Sequence, residues 1–358
     1  MRQALILFVV LGLLVCPVTA SEIASRDMGQ LRQALPYSAK RMVDPVSYDG
    51  AKDVNQSIKQ ILISAMDEST DTIRRVIGMI CQIMLITVLC GIVSCQDDCN
   101  VERTVVMMGT VALVLVCSSD VSGMIGSGIT TMDEIRNFSS VLLPVMASAA
   151  AGTGAMNGAT VLYTITVLFS NILIGICNKL LMPMVYSGLA LAVADSVLQS
   201  QRMKQLRELI GWVIKTSLKW IMYIYTGFLS LSGVLAGSAD AIALKTAKMA
   251  VSGMVPVVGG IISDAAETVL AGAGLLKHSI GTFGMLAILA IFIVPFLKIS
   301  IWLIGFRLVS ALCAVVESKL SGCMDAVSDA MGYILAMIGS CSLMNLLACF
   351  SFFKTVSP

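Results

Sequence analysis

The chain has 358 residues, of which 57% are hydrophobic and 13% are charged, with a formal net charge of +2. Soluble domains carry about 25% charged residues, so this composition cannot cover a surface that faces water everywhere. It predicts an integral membrane protein, and the small net charge excludes the bulk basic field that nucleic-acid binding uses. We therefore expect membrane lipid, and no nucleic acid, among the partners.

Residues 1–20 have the pattern of a secretory signal peptide. Arg2 supplies a positive start, and the apolar run Ala4–Val15 is too short to span a bilayer easily. Small residues end at Ala20, which predicts cleavage before Ser21. The alternative is an uncleaved anchor.

Residues 21–75 are polar and predict a short extracytoplasmic segment. Within them, apolar side chains recur at helical spacing and predict one amphipathic helix. This helix would lie on the membrane surface or pack on a partner. The residues that carry the pattern are Val54, Ile58, Ile61, Leu62, Ala65 and Met66.

Residues 76–353 predict a multi-span membrane domain, so the fold class is all-α and polytopic with about seven or eight spans. A crossing helix needs about 20 apolar residues. An eighth, ambiguous run, Phe138–Ala155, is rich in Ala, Gly and Ser, which suit helix packing in membranes. The seven clearer runs are Val76–Ser94, Thr104–Cys117, Gly158–Cys177, Leu181–Leu198, Ile214–Gly237, Phe283–Ile304 and Ala330–Phe353.

Charge placement predicts the orientation. The segment Arg202–Arg207 is the densest basic loop, and basic loops prefer the cytoplasm. If residue 21 starts outside, five spans must precede this loop, which favours eight in total. The same arrangement puts Gln96–Arg103 inside and Ser238–Thr282 outside.

The segment 238–282 predicts amphipathic helices near the interface, because charges such as Asp264 and Lys277 lie among apolar residues. Pro256, Gly259 and Gly260 interrupt it, since Pro followed by two Gly residues breaks a helix. The alternatives are a re-entrant element and a plain turn between two surface helices.

Lys298 follows Pro295 inside an apolar run. A charge at that depth needs a partner or a wet cavity, so Lys298 either belongs to a polar path or snorkels to the interface. With Pro256, Gly259, Gly260, Asp264 and Lys277, it completes the set of candidate functional residues.

The search for catalytic chemistry gives negative results. The chain has no phosphate-binding loop, no nucleophile elbow and one histidine, His278. We therefore expect no enzyme activity, no cofactor and no metal. Cys95 and Cys99 could bind a metal or form a disulfide, or they are two unpaired thiols beside a helix end.

Several motifs in the later half of the chain together resemble the stage III sporulation protein AE family of endospore-forming bacteria. The combination is specific, although each piece alone is weak. The motifs are Thr226–Leu231, Lys245–Lys248, Val255–Gly260, Ser263–Ala265, Leu275–Lys277 and Val294–Lys298.

This resemblance implies a multi-pass subunit in the mother-cell (outer forespore) membrane. The family belongs to an eight-protein assembly that joins a forespore protein in a channel-like secretion complex and supports forespore development after engulfment. The implied partners are the other proteins of the stage III sporulation A operon, including the AA ATPase and ring-forming subunits. The implied role is a non-catalytic platform or pore component. The rivals are a free-standing small-solute permease and a membrane enzyme or insertase.

Overall fold

The computed structural model describes residues 29–43, 54–94, 99–151, 156–198, 201–254, 259–316 and 318–355, and these ranges are helical apart from one short bend near Leu35. The predicted signal peptide, Cys95 and Pro256 lie outside the described residues. The elements are α1 (Tyr37–Val43), α2 (Val54–Ser94), α3 (Cys99–Ala151), α4 (Met156–Ile176), a π-helical turn (Cys177–Leu181), α5 (Met182–Leu198), α6 (Gln201–Met254), α7 (Gly259–Val316) and α8 (Ser318–Thr355).

The helices are much longer than a bilayer is thick. Helix α2 has 41 residues and α7 has 58. At about 1.5 Å of rise per residue they are about 62 Å and about 87 Å long, against about 30 Å for the hydrocarbon core. From α2 onward at most four residues separate successive helical rods, counting α4, the π-helical turn and α5 as one rod, so neighbouring rods run antiparallel.

Helices α7 and α8 form the centre of the bundle. No residue of α7 between Ile280 and Leu303 is exposed, and between Leu320 and Cys349 α8 exposes only Ala336 and Leu343. Helices α2 and α3 pack on one side of this pair, and α4, α5 and α6 pack on the other. A helix that is apolar all round is typical of such an enclosed position.

Five segments of the described chain are long and apolar enough to cross a membrane. They are Gln56–Ser94, Thr104–Ser148, Thr164–Asp195, Ile280–Val316 and Leu320–Cys349. The predicted class of an all-helical protein with several apolar helices is therefore confirmed, whereas the predicted count of seven or eight spans is not.

Several predicted spans are parts of single helices. The runs Gly158–Cys177 and Leu181–Leu198 belong to one continuous rod, because the π-helical turn leads into α5 through Met182 in right-handed helical conformation. Helix α3 likewise contains both Thr104–Cys117 and most of Phe138–Ala155. Polar residues between two apolar runs indicate a loop in a hydropathy pattern, but here they stay helical.

The bundle has two ends, which we call the Ser94 end and the Val54 end. A Cβ added to Gly91 would lie 2.9 Å from Val316, and one added to Gly109 would lie 3.5 Å from Leu320. Arg207 Nη1 donates to the Gly322 carbonyl at 3.1 Å. The C-terminal ends of α2, α5 and α7 therefore meet at the Ser94 end.

Candidate membrane interface and buried polar contacts

Lys298 has an ionic partner. Its Nζ lies 3.0 Å from Glu68 Oε1 of α2, and the two side chains are 30% and 45% exposed. The sequence indicates that this lysine needs a partner, but Glu68 falls in the segment assigned to the ectodomain. The pair lies at the side of the bundle and ties α2 to α7.

The other candidate residues do not gather around Lys298. Gly259 and Gly260 begin α7, and Asp264 and Lys277 follow in the same helix. Along a straight helix, Gly260 and Lys298 are about 57 Å apart. Pro256, between α6 and α7, lies outside the described residues, and the other candidates form no single site.

A set of contacts instead marks one level of the bundle between its ends. The charges of Arg75 on α2 and Asp120 on α3 interact. The next residue of α2, Val76, lies directly against Gly305 of α7. These contacts place the three helices in register at this level.

Helices α8, α6 and α5 reach the same level. A Cβ added to Gly332 of α8 would lie 3.4 Å from Leu303 of α7. The next residue, Tyr333, lies against Gly211 of α6, and Lys215 Nζ is 5.5 Å from the centre of its ring. Tyr333 also shares a small cavity with Met184 of α5.

Exposed or partly exposed aromatic and charged side chains surround the bundle at this level and, on α6, extend towards the Val54 end as far as Trp220 and Tyr223. We call them the belt. Trp212, Trp220 and Tyr223 of α6 are each more than 60% exposed. The Arg307 guanidinium pairs with Asp329 Oδ1 at 3.2 Å. Trp, Tyr, Lys and Arg are typical of membrane–water interfaces. The belt consists of Arg74, Arg75, Tyr186, Trp212, Lys215, Lys219, Trp220, Tyr223, Arg307 and Asp329.

The exposed surface of α2, α3 and α7 differs on the two sides of the belt. Towards the Ser94 end it is almost entirely apolar: Ile77, Leu85, Val88, Leu89, Ile92, Val93, Met107, Met108, Val111, Leu115, Leu308, Leu312 and Val315. Towards the Val54 end it is mixed: the apolar Leu62, Ile63, Met66 and Ile73 lie among Lys59, Gln60, Asp67, Glu68, Asp71, Thr130, Arg136, Asn137 and Ser140. The belt therefore separates two chemically different surfaces.

Helix α6 is an exception to this division. Its first turns expose Arg202, Lys204 and Glu208 on the Ser94 side of the belt, and Lys215 and Lys219 extend the basic surface into the belt. We call this surface the basic α6 face. Exposed charges at this level suit water, lipid headgroups or another protein better than hydrocarbon.

Further polar groups lie inside the bundle. Asn178, in the π-helical turn, donates to Asp133 Oδ1 at 3.3 Å, and Ser310 donates to Asp325 Oδ1 at 2.6 Å. The hydroxyl of the fully buried Tyr225 donates to the Met344 carbonyl at 3.0 Å. These bonds satisfy polar atoms that hydrocarbon could not. No group of three or more His, Cys, Asp or Glu residues that could hold a metal occurs within the described ranges.

The family model described as stage III sporulation protein AE matches residues 37–352 of the chain. The chain belongs to this family. A protein of Bacillus subtilis (strain 168) named stage III sporulation protein AE is 24% identical over 275 residues, which cover 74% of this chain and 68% of that protein. No solved structure matches.

The family match confirms the resemblance carried by the motifs between Thr226 and Lys298, and it extends well beyond them. The matched range begins at the first residue of α1 and ends within α8. It therefore includes the belt, the basic α6 face and both surfaces of the bundle. The chain is thus a sporulation protein with several apolar helices, which supports a multi-pass membrane protein.

Proposed function

We propose that this member of the stage III sporulation protein AE family is a non-catalytic membrane platform of a channel-like secretion complex in the mother-cell (outer forespore) membrane. It would support forespore development after engulfment. The observation that carries the proposal is the family match over residues 37–352, together with five apolar helices in that range. A free-standing permease is not favoured, because the family is defined by its part in sporulation.

Packing favours a platform over a pore made by one copy. The centre of the bundle is filled by α7 and α8, whose buried side chains include Trp302, Phe306 and Met331. Protein interiors packed in this way leave no path for solutes. A pore would therefore require several copies, or other subunits, around a shared axis.

The orientation follows from charge. The basic segment Arg202–Arg207 belongs to the Ser94 end, and positive loops prefer the cytoplasm. We therefore propose that the Ser94 end faces the mother-cell cytoplasm after removal of the signal peptide. The number of crossings is then even, and six long helical rods, counting α4 and α5 as one, would supply it if α6 crosses together with the five apolar candidates.

The basic α6 face is the surface that we propose for contact with other subunits. It exposes Arg202, Lys204, Lys215 and Lys219 beside Trp212, and aromatic residues and Arg are enriched in protein interfaces. The expected partners are other proteins of the same operon, including the AA ATPase and the ring-forming subunits. No nucleic acid and no cofactor is expected.

Affinity purification from sporulating cells tests this proposal. A tagged wild-type chain should recover the operon proteins, whereas the variant Lys215→Glu with Lys219→Glu should recover several-fold less. The matched control is Lys59→Glu, an exposed lysine on the other side of the belt. If the wild-type chain recovers none of these proteins, the proposed function is wrong. If all three chains recover them equally, only the proposed contact face is wrong.

A further inference from the structure

We propose that the bilayer surrounds only the half of the bundle between the belt and the Ser94 end. The other half, made of the same helices, projects out of the membrane as a folded domain. Lipid is thus the partner of one defined surface, and water or other proteins contact the rest. This inference uses the surface chemistry and the helix lengths, and it does not depend on the role in sporulation.

The apolar half is about as long as one bilayer is thick on α2 and α3, which carry most of its exposed apolar side chains. Helix α7 reaches only about 17 Å beyond the belt, from Gly305 to Val316. From Val76 to Ser94, α2 rises about 27 Å, and from Cys99 to Asp120, α3 rises about 32 Å. These two lengths lie on either side of the hydrocarbon thickness of about 30 Å. The full helices are far longer, since α3 has 53 residues and α7 has 58. One bilayer therefore cannot cover both halves.

The chemical change along α2 gives the position of the boundary. This helix exposes charged side chains from Lys59 to Arg75, and from Val76 to Ser94 it contains none. Because α2 is one uninterrupted helix, a loop does not explain the change. The surrounding medium must change at Arg75, where the belt lies, and charged side chains avoid hydrocarbon.

The alternative position, around the Val54 half, conflicts with the exposed surface. The apolar runs Phe283–Ile304 and Ala330–Phe353 favour that position by hydropathy. However, α7 is unexposed from Ile280 to Leu303, so other helices account for its apolar character. Lipid there would instead meet charged groups on several outer helices: Lys59, Asp67, Glu68, Asp71 and Arg136. In the described part of the Ser94 half, exposed charges are confined to the basic α6 face, which the bilayer would leave to other proteins or water.

The projecting half is large enough to be a domain. From Val121 to Ala151, α3 extends about 45 Å beyond the belt, and from Met156 to Met184 the α4–α5 rod extends about 42 Å. The ion pair between Lys298 and Glu68 lies in this half. Its partial exposure is then exposure to water, which explains why a lysine is tolerated in an apolar run.

Tryptophan quenching in vesicles tests the position of the bilayer. The three native tryptophans would be replaced by Phe, and single tryptophans placed at Leu85 or Ile63 of α2, which are 65% and 60% exposed. These positions are about 33 Å apart along the helix. In phosphatidylcholine vesicles with brominated acyl chains, emission from Leu85→Trp should fall at least twofold relative to unbrominated vesicles. Emission from Ile63→Trp should not change.

Three results would overturn the inference: quenching at position 63 alone, at both positions, or at neither. Because Trp302 is buried, its replacement could prevent folding, so a second measurement uses the wild-type chain. A charged, water-soluble amine reagent should modify the exposed Lys59 in reconstituted vesicles, as detected by mass spectrometry. Absence of modification in both sealed and opened vesicles would show that the Val54 half is shielded, contrary to the inference.

Discussion

The contact between Gly305 and Val76 predicts the effect of a single added methyl group. Replacing Gly305 by Ala puts a Cβ into contact with Val76 Cγ1, closer than real Cβ atoms approach. Val76 is β-branched and has few alternative rotamers, so the two helices must move apart. Overpacking costs about 1–3 kcal/mol. Replacing Gly by Ala in a helix returns about 1 kcal/mol. We therefore expect a net loss of about 1 kcal/mol in the free energy of unfolding.

The matched control is Gly123→Ala in α3, where an added Cβ meets no atom within 4 Å. This variant should gain about 0.5–1 kcal/mol from helix propensity alone. The assay is the midpoint of thermal unfolding in detergent, followed by circular dichroism. We expect the unfolding midpoint of Gly123→Ala to be above that of the wild type, and the midpoint of Gly305→Ala to be below it.

A double-mutant cycle tests whether the contact with Val76 causes the loss of stability in Gly305→Ala. Val76→Ala alone removes buried methyl groups and should destabilise the bundle by about 1–2 kcal/mol. In the double variant, the methyl group of Gly305→Ala occupies the space that Val76→Ala vacates. The double variant should therefore be at least about 1 kcal/mol more stable than the sum of the two single changes predicts. If Gly305→Ala raises the midpoint as Gly123→Ala does, or if the two changes are additive, the packing argument is wrong.

Three further predictions concern maturation, orientation and the ion pair. N-terminal sequencing of the mature chain should begin at Ser21, and a retained Met1 would contradict signal cleavage. A reporter fused after Gln205 should be active only in the cytoplasm, and activity outside would reverse the proposed orientation. The coupling energy of Glu68→Gln and Lys298→Met in a double-mutant cycle should be below about 1 kcal/mol, as for other partly exposed pairs. A coupling of several kcal/mol would place this pair in hydrocarbon.

The predicted break at Pro256, Gly259 and Gly260 can be tested genetically, and it remains a prediction that it lines a cavity or docks a partner. Changing Gly259 and Gly260 to Val should block sporulation while the protein stays in the membrane. The matched control changes Gly123 and Gly126 to Val, because an added Cβ at either position meets nothing within 4 Å. Normal sporulation of the first variant would make the break dispensable, and its loss from the membrane would make it only a folding element.

The sequence predicts the class of protein, but not the true helix lengths. Hydropathy measures how apolar a run is and cannot tell whether lipid or protein surrounds it. Phe283–Ile304 has the composition of a membrane span, yet up to Leu303 none of its side chains is exposed. Conversely, the polar start of α2 suggests a separate surface helix, although the same helix continues to Ser94.

The belt was not predicted because it depends on contacts between distant parts of the chain. Trp212, Lys215, Lys219 and Trp220 give a recognisable interfacial pattern in α6. That they lie at the same height along the bundle as Arg75 follows only from the contacts of α6 with α8, of α8 with α7 and of α7 with α2. Helices α7 and α8 come later in the sequence. The partner of Lys298 is hidden for the same reason, since Glu68 is 230 positions away.

The central pair of helices also sets an order of events during synthesis. Helices α7 and α8 are separated by residue 317 alone and come last in the chain. The ribosome therefore releases α2 to α6 before the hairpin against which their inner faces pack exists. Until the hairpin arrives, those faces must be shielded by lipid or by an insertion factor. A nascent chain that stops before Gly259 would lack its core, and membrane quality-control proteases should remove it.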